Sequence, residues 1–245
     1  MELKENEVIH SLDINNLQII QNKKGFCFGM DAVLLSDFAK EIKANKNIMD
    51  LCAGNAAISL LLSAKTVNTK ITAVEIQESV ADLAKRSIKL NNLSDRISVL
   101  NIDLKKLNSI YPQNSFDAIV CNPPYKKLST GLINKLDTKT IARHEISCTL
   151  DDIINISSYL LKFNGTIYIV HRPERLVDVL STLRKYKLEP KTIRFIQPKQ
   201  NEIPNLFLIK AVKGGKSFLK FLNNLIIYNE DGTYTKEFLK IYNMA

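Results

Sequence analysis

The sequence predicts a doubly wound α/β fold, with a mostly parallel seven-stranded sheet, helices on both faces and a small β element in front. Three observations predict it. Short apolar, strand-like runs alternate with segments of helical periodicity from about residue 30 to residue 213. The helix-like segment "AAISLLLSA" is apolar nearly all round, as a helix sandwiched between two layers must be. Gly54 and three acids, Asp50, Glu75 and Asp103, fall at the ends of predicted strands, where ligands sit in such sheets.

Taken in order, residues 7–28 alternate short extended runs ("VIHSLD", "LQIIQN", "GFCFG") that read as a small β element before the first long helix, "DAVLLSDFAKEI". The strand "NIMDLC" and the helix "AAISLLLSA" follow, then the strand "ITAVEI". The next helix, "ESVADLAKRSIKLNN", sets Val80, Leu83, Ala84, Ser87 and Ile88 on one face. "RISVLN" and "FDAIVC" read as strands, "DDIINISSYLLK" as a helix and "GTIYIVH" as a strand. Pro173 opens the helix "PERLVDVLSTLRKY", and "KTIRFIQ" and "LFLIKAV" complete the strands. A single domain over residues 1–245 is expected, with the β element at 1–29, the core at 30–213 and an extension from Gly214 whose pattern fits a hairpin, a helix or a loose arm equally.

The totals narrow the class. An apolar fraction of 45% with 24% charged residues is that of a globular chain, and no apolar run approaches the length of a membrane-spanning helix. The N-terminal stretch lacks the layout of a signal peptide, which places the chain in the cytoplasm. Cys27, Cys52, Cys121 and Cys148 form no Cys-x-x-Cys pair and there are three histidines, so no metal centre is expected. The net charge of +9 suits a polyanionic partner such as nucleic acid, although Lys, Asn and Ile are abundant throughout and raise the charge everywhere. No apolar stripe is left over, so a monomer is expected.

The chemistry concentrates at "AIVCNPPYKK", residues 118–127. Two prolines after a strand remove two donors, fix two φ angles and hold Asn122 and Pro123 out of the helical region. The Asn122 side-chain oxygen and the Pro123 carbonyl are thereby held rigid as outward-pointing acceptors, with no proline N–H to compete for them, and an aromatic residue, Tyr125, follows. Upstream, "MDLCAGNAA" joins a strand to a helix with Gly54 at the bend, and Glu75 lies about twenty residues beyond, the spacing at which an acid reaches ribose hydroxyls. Asp103 ends the third strand of the series, within reach of an adenine amino group. Each of these acids also fits a plain strand-end cap.

In their order around "NPPY", these motifs resemble the S-adenosylmethionine-dependent methyltransferases that act on exocyclic or amide nitrogens, over roughly Gly25 to Val212. That family carries Asp/Asn-Pro-Pro-Tyr/Phe after its fourth strand, a Gly-rich loop after the first and an acid after the second, on a Rossmann-like fold. "GFCFGMDAVLLSDFA", "ARHE" and "VHRPERL" further resemble stretches of the bacterial tRNA(Val) adenine-N6-methyltransferases, which modify the adenosine 3′ of the anticodon. The resemblance implies S-adenosylmethionine as cofactor and tRNA as substrate. It implies catalytic roles for Asn122, Pro123 and Tyr125, and cofactor contacts from Gly29, Asp31, Asp50, Cys52, Ala53, Gly54, Glu75, Ile76, Asp103, Leu104 and Asn122. Tyr125, Lys126, Lys127, Arg143, His144 and Arg172 are the implied substrate contacts, with Arg143 to Glu145 fitting a capping cluster equally well.

Two departures stand out. The family usually has Gly at the positions of Cys52 and Ala56, where a side chain opposes positive φ. Lysines replace the aromatic residue it often places after Tyr125. The segment "RKYKLEPKTIRFIQPK" mixes basic residues with Tyr186 and Phe195, which suits either an RNA groove or a helix end running into an edge strand. The competing activities are methylation of a release-factor glutamine, of guanine N2 in ribosomal RNA or of adenine in DNA, and a non-catalytic RNA-binding role on the same fold. Release-factor enzymes generally carry an extra N-terminal helical domain, and here only about twenty-five residues precede "FGMDAVLL".

Overall fold

The computed structural model describes residues 2–25, 28–124 and 148–242. A two-stranded antiparallel ribbon, β1 (Glu7–Ser11) and β2 (Gln18–Asn22), precedes α1 (Met30–Phe38). Then follow β3 (Asn47–Leu51), α2 (Ala57–Lys65), β4 (Lys70–Glu75), α3 (Glu78–Leu90), β5 (Ile97–Asn101), a 3₁₀ turn (Leu104–Ser109) and β6 (Phe116–Cys121). The second half holds α4 (Leu150–Leu160), β7 (Leu161–His171), α5 (Leu176–Lys185), β8 (Leu188–Gln197) and β9 (Leu206–Lys213). The chain continues through β10 (Lys220–Phe221), β11 (Leu225–Ile226) and α6 (Lys236–Ile241).

These strands form one nine-stranded sheet in the order β10-β8-β9-β7-β6-β3-β4-β5, with β11 also paired to β8. Only β9 runs antiparallel to its neighbours, β7 and β8. Seven strands are the expected ones. The other two belong to the extension after Gly214, which lies along β8 as two short parallel pairings and thereby covers an edge that would otherwise present unpaired backbone groups. Thr235 caps α6, whose Phe238 and Ile241 are buried.

Alternation along the strands divides the core between two faces. Ile48, Ala118, Val120, Tyr168 and Val170 enter one apolar cluster with α1, α2 and α3, whereas Met49, Ile119, Cys121, Ile167 and Ile169 enter the other with α4 and α5. Helices therefore cover both faces. On α2, Ala57 to Ser63 are all buried, because the helix lies against the sheet on one side and α1 on the other. On α3 the buried face is Ala81, Leu83, Ala84, Ser87 and Ile88, one residue out of phase with the expected set at Val80. The ribbon accounts for this by packing on α3, where the Ile20 amide donates to Ser87 Oγ at 2.9 Å and Arg86 is ion-paired with Glu7. In the second half of the chain Thr149 and Asp152 close a capping box on α4. Among the described residues, no helix is long and apolar enough to cross a membrane.

Candidate active site

The chain leaves β3 to build β4 and β5 on one side, then returns to build β6 on the other, so strand order reverses between β3 and β6. Leu51 is in register with Cys121. The loop beginning at Cys52 and the segment beginning at Asn122 therefore leave the sheet side by side, at the crevice where open α/β sheets bind ligands.

The loop after β3 keeps a tight left-handed path. Cys52 has φ +57°, Gly54 +56° and Ala56 +65°. Two of these are positions where glycine is the expected residue, and their side chains have not pushed the backbone out of the positive-φ region. The loop is tied down on the β4 side, where the Ala53 amide donates to the Val74 carbonyl at 2.9 Å and the Gly54 amide to Glu75 Oε2 at 3.0 Å. Glu75 Oε1 accepts from the Gln77 amide at 2.8 Å. Asn101 braces the same strand end by donating to the carbonyls of Glu75 and Ile76 at 2.9 and 3.0 Å. Glu75 is only 6% exposed, and a carboxylate oxygen can accept more than one hydrogen bond, so it both holds the loop and can still meet a hydroxyl.

A cleft enclosing about 40 Å³ lies between these strand ends. Its lining includes Cys52, Glu75, Ile76, Asp103, Leu104, Pro124 and Cys148. Asp103 also caps the 3₁₀ turn, its Oδ1 accepting from the Lys105 amide at 3.0 Å. A larger groove of about 310 Å³ between α1 and the β8 edge is bordered by none of the predicted site residues, and strand-end geometry favours the smaller cleft as the site.

Asp50 sits beneath the loop with no solvent exposure. Ser59 Oγ donates to its Oδ2 at 2.7 Å, whereas Oδ1 is buried without a hydrogen-bond partner. Burial dominates its chemistry and pushes the carboxyl up to about 7. Asn55, which sequence reasoning passed over, is buried in the same loop with its Nδ2 likewise unpartnered. The sequence shows an ordinary polar loop residue there, and only the packing marks it out.

Asn122 is half-buried at the end of β6, and its Nδ2 donates to Asp31 Oδ2 at 3.0 Å. Asp31, at the start of α1, is 9% exposed, and its Oδ1 accepts from the Ala32 amide. Asp31 thus stands beside Asn122, and neither Asp31 nor Gly29 is among the residues lining the cleft. Pro123 is buried. Tyr125, Lys126, Lys127, Arg143 and His144 lie outside the described residues. Arg172, farther along, donates to the Asn205 carbonyl at 3.1 Å. In the basic segment, Tyr186 and Phe195 pack against the core, and Arg184, Lys185 and Arg194 are paired with Glu189, Asp151 and Glu237.

Three cysteines meet at the cleft, with Cys52 and Cys148 on its lining. Cys52 Sγ lies 3.8 Å from Cys148 Sγ, and Cys121 is a further neighbour of Cys52. Their mutual hydrogen bonds and burial hold the Cys52 and Cys148 thiols well above the usual range.

Residues 28–186 match the family described as the methyltransferase small domain. The chain belongs to this family. Among curated relatives of this methyltransferase, the tRNA1(Val) (adenine(37)-N6)-methyltransferase of Porphyromonas gingivalis is 26% identical over 220 residues, covering 87% of this chain and 86% of its own. The enzymes of the same name from Shewanella woodyi and Haemophilus influenzae are each 26% identical over 224 residues, covering 89% and 91% of this chain and 90% and 92% of theirs. Among solved structures, a predicted O-methyltransferase of Agrobacterium tumefaciens superposes with a TM-score of 0.72 at 23% identity, over 88% of this chain and 96% of that one. Pyrococcus horikoshii TYW2, in complex with MeSAdo, gives a TM-score of 0.60 at 15% identity, over 87% and 74%. Both structures share the methyltransferase fold with this chain.

Proposed function

We propose that this methyltransferase transfers a methyl group from S-adenosylmethionine to N6 of adenosine 37, 3′ of the anticodon in a valine tRNA, the reaction named for its curated relatives. The observation that carries the reading is the Leu51–Cys121 register, which sets the Asn122-Pro123 acceptors directly beside the loop of Cys52 to Ala56. In keeping with it, relatives named for this activity align over nearly the whole of both chains.

The residues present fit the cofactor. Glu75 and Asp103 offer carboxylates on the cleft for ribose hydroxyls and an adenine amino group, and Ile76 and Leu104 give apolar walls for a purine. The unpartnered Asp50 Oδ1 and Asn55 Nδ2 are an acceptor and a donor, the complement of an amino acid's ammonium and carboxylate. Cys52, Ala53 and Gly54 bring main chain close to the ligand. When bound, S-adenosylmethionine supplies a methyl group on a sulfonium centre, an electrophile that needs no acid catalyst.

The protein's own part is orientation. Asn122 Oδ1 and the Pro123 carbonyl accept the two N–H bonds of the adenine amine and favour the charge that grows on nitrogen as it attacks. Tyr125 stacks on the base, and Lys126, Lys127, Arg143, His144 and Arg172 meet the RNA in this reading. A net charge of +9 favours a polyanionic substrate. Residues 1–245 act as one monomeric domain in the cytoplasm.

The test is methyl transfer from labelled S-adenosylmethionine to total tRNA, with digestion to nucleosides, for wild type and Asn122→Ala. Labelled N6-methyladenosine with wild type alone is the expected result. Transfer to a protein glutamine or to guanine N2 instead would replace this reading.

A further inference from the structure

An amide side chain offers a donor at one end and an acceptor at the other, and the proposed role of Asn122 requires the oxygen to face the substrate. A carboxylate can only accept. Because Asn122 Nδ2 lies 3.0 Å from Asp31 Oδ2, the nitrogen is the end turned toward Asp31 and the oxygen is the end turned away from it. The two residues are 91 positions apart, so the contact is created by the fold, which lays the start of α1 against the end of β6.

Asp31 is itself held. Its other oxygen accepts from the Ala32 amide at 3.0 Å, in the first turn of α1, where the helix dipole favours a negative charge. Gly29 makes room for it, since a Cβ at Gly29 would approach Asp31 Oδ1 to 2.9 Å. The geometry assigns Asp31 the role of positioning residue for Asn122, fixing which end of its amide meets the substrate amine. This rests on the proposed role of Asn122. A hydrogen bond from the amide nitrogen to an anion also shifts electron density onto the amide oxygen, so the acceptor is strengthened as well as aimed.

The experiment measures kcat, KM for tRNA, cofactor Kd by calorimetry and Tm for five variants: Asp31→Asn, Gly29→Ala, Asn122→Ala, Asn122→Asp and the double variant Asp31→Asn/Asn122→Asp. Asp31→Asn, which retains shape but no longer compels the donor direction, should lower kcat by about 10- to 100-fold with cofactor Kd and Tm nearly unchanged. Gly29→Ala displaces the carboxylate without removing it and should act in the same direction. The double variant is decisive, because Asn122→Asp alone sets two carboxylates face to face, and an amide at position 31 restores a donor–acceptor pair with its polarity reversed. It should recover kcat at least about tenfold over Asn122→Asp. Unchanged kcat in Asp31→Asn, or no recovery in the double variant, overturns the assignment. Full activity in Asn122→Ala would instead overturn the role of Asn122 itself, so the two failures are distinguishable.

Discussion

The main-chain N–H of Gly54 donates to the Glu75 carboxylate across 21 residues of sequence, joining the loop after β3 to the end of β4. The acid that the proposed cofactor's ribose would meet is therefore also the clasp that holds the cofactor loop in its left-handed course. Glu75→Gln tests the double duty. Its amide must direct a donor at the Gly54 or Gln77 amide, leaving a donor facing a donor, at about 1–3 kcal/mol. Calorimetry should show S-adenosylhomocysteine affinity reduced by about tenfold or more, with a lowered Tm. A variant that lost affinity at unchanged Tm would leave Glu75 as a ligand contact alone.

Asn122→Ala should cost about 2–4 kcal/mol in transition-state stabilisation, as loss of a positioned polar group does, and leave cofactor affinity nearly intact. Single-turnover rates alongside cofactor titrations separate the two quantities. Equal losses in both would contradict a role confined to the amine.

Asp50 gives the pH dependence. Its carboxyl is raised to about 7 by burial, only partly opposed by the Ser59 hydrogen bond, so the folded state holds this proton more tightly than the unfolded chain does. Its contribution to stability is full below about pH 4 and is lost as the pH rises through about 7, amounting to roughly 4 kcal/mol over that window. Thermal denaturation from pH 4 to pH 8 should show this decline in wild type and a flatter profile in Asp50→Asn. Parallel profiles would place the titrating group elsewhere.

Ala56 at φ +65° and Cys52 at φ +57° carry side chains where the left-handed backbone costs about 1–2 kcal/mol each. Glycine removes that cost but loses part of the gain to the entropy of the unfolded chain. Ala56→Gly should accordingly raise the melting temperature by about 2–4 °C for a net gain near 1 kcal/mol. A fall in Tm would mean that the packing of the Ala56 methyl, which has no solvent exposure, outweighs the strain.

The clustered thiols predict their own reactivity. Hydrogen bonding to Cys121 raises Cys52, hydrogen bonding to Cys52 raises Cys148, and burial adds to both, so little thiolate exists near neutral pH. Mass-mapped alkylation with iodoacetamide at pH 8 should be slow at both positions and accelerate strongly on unfolding. Native-state labelling as fast as in the unfolded chain would contradict this.

Much of the frame was legible because each element carries its own period. The near-continuous apolar runs of β3 and β6 and the all-apolar α2 announce a sheet covered on both faces, and the acids and Gly54 fall where such a sheet keeps its ligands. What escaped has no local signature. β10 and β11 are two residues each and exist only because β8 offers them an edge. The buried face of α3 is set by a ribbon packed on it, which turns Ala81 inward in place of Val80. The family resemblance implied a cofactor contact for Asp31, and its contact with Asn122 arises from tertiary packing that no local pattern announces. Burial of Asn55 and the left-handed turn at Ala56 are likewise properties of the folded loop.

The pairing of β10 and β11 with β8 has a consequence for how the protein is made. β8 has β9 on one side, and among the described residues its other side is closed by Lys220–Phe221 and Leu225–Ile226, which the ribosome delivers after the other described strands. At roughly 5–20 residues per second, a nascent chain that has completed β9 spends about a second or more with that edge open to any neighbouring strand. Lys191 and Arg194 stand along the exposed strand during this interval, and like charges on adjacent nascent chains keep their edges apart until the chain supplies its own cover.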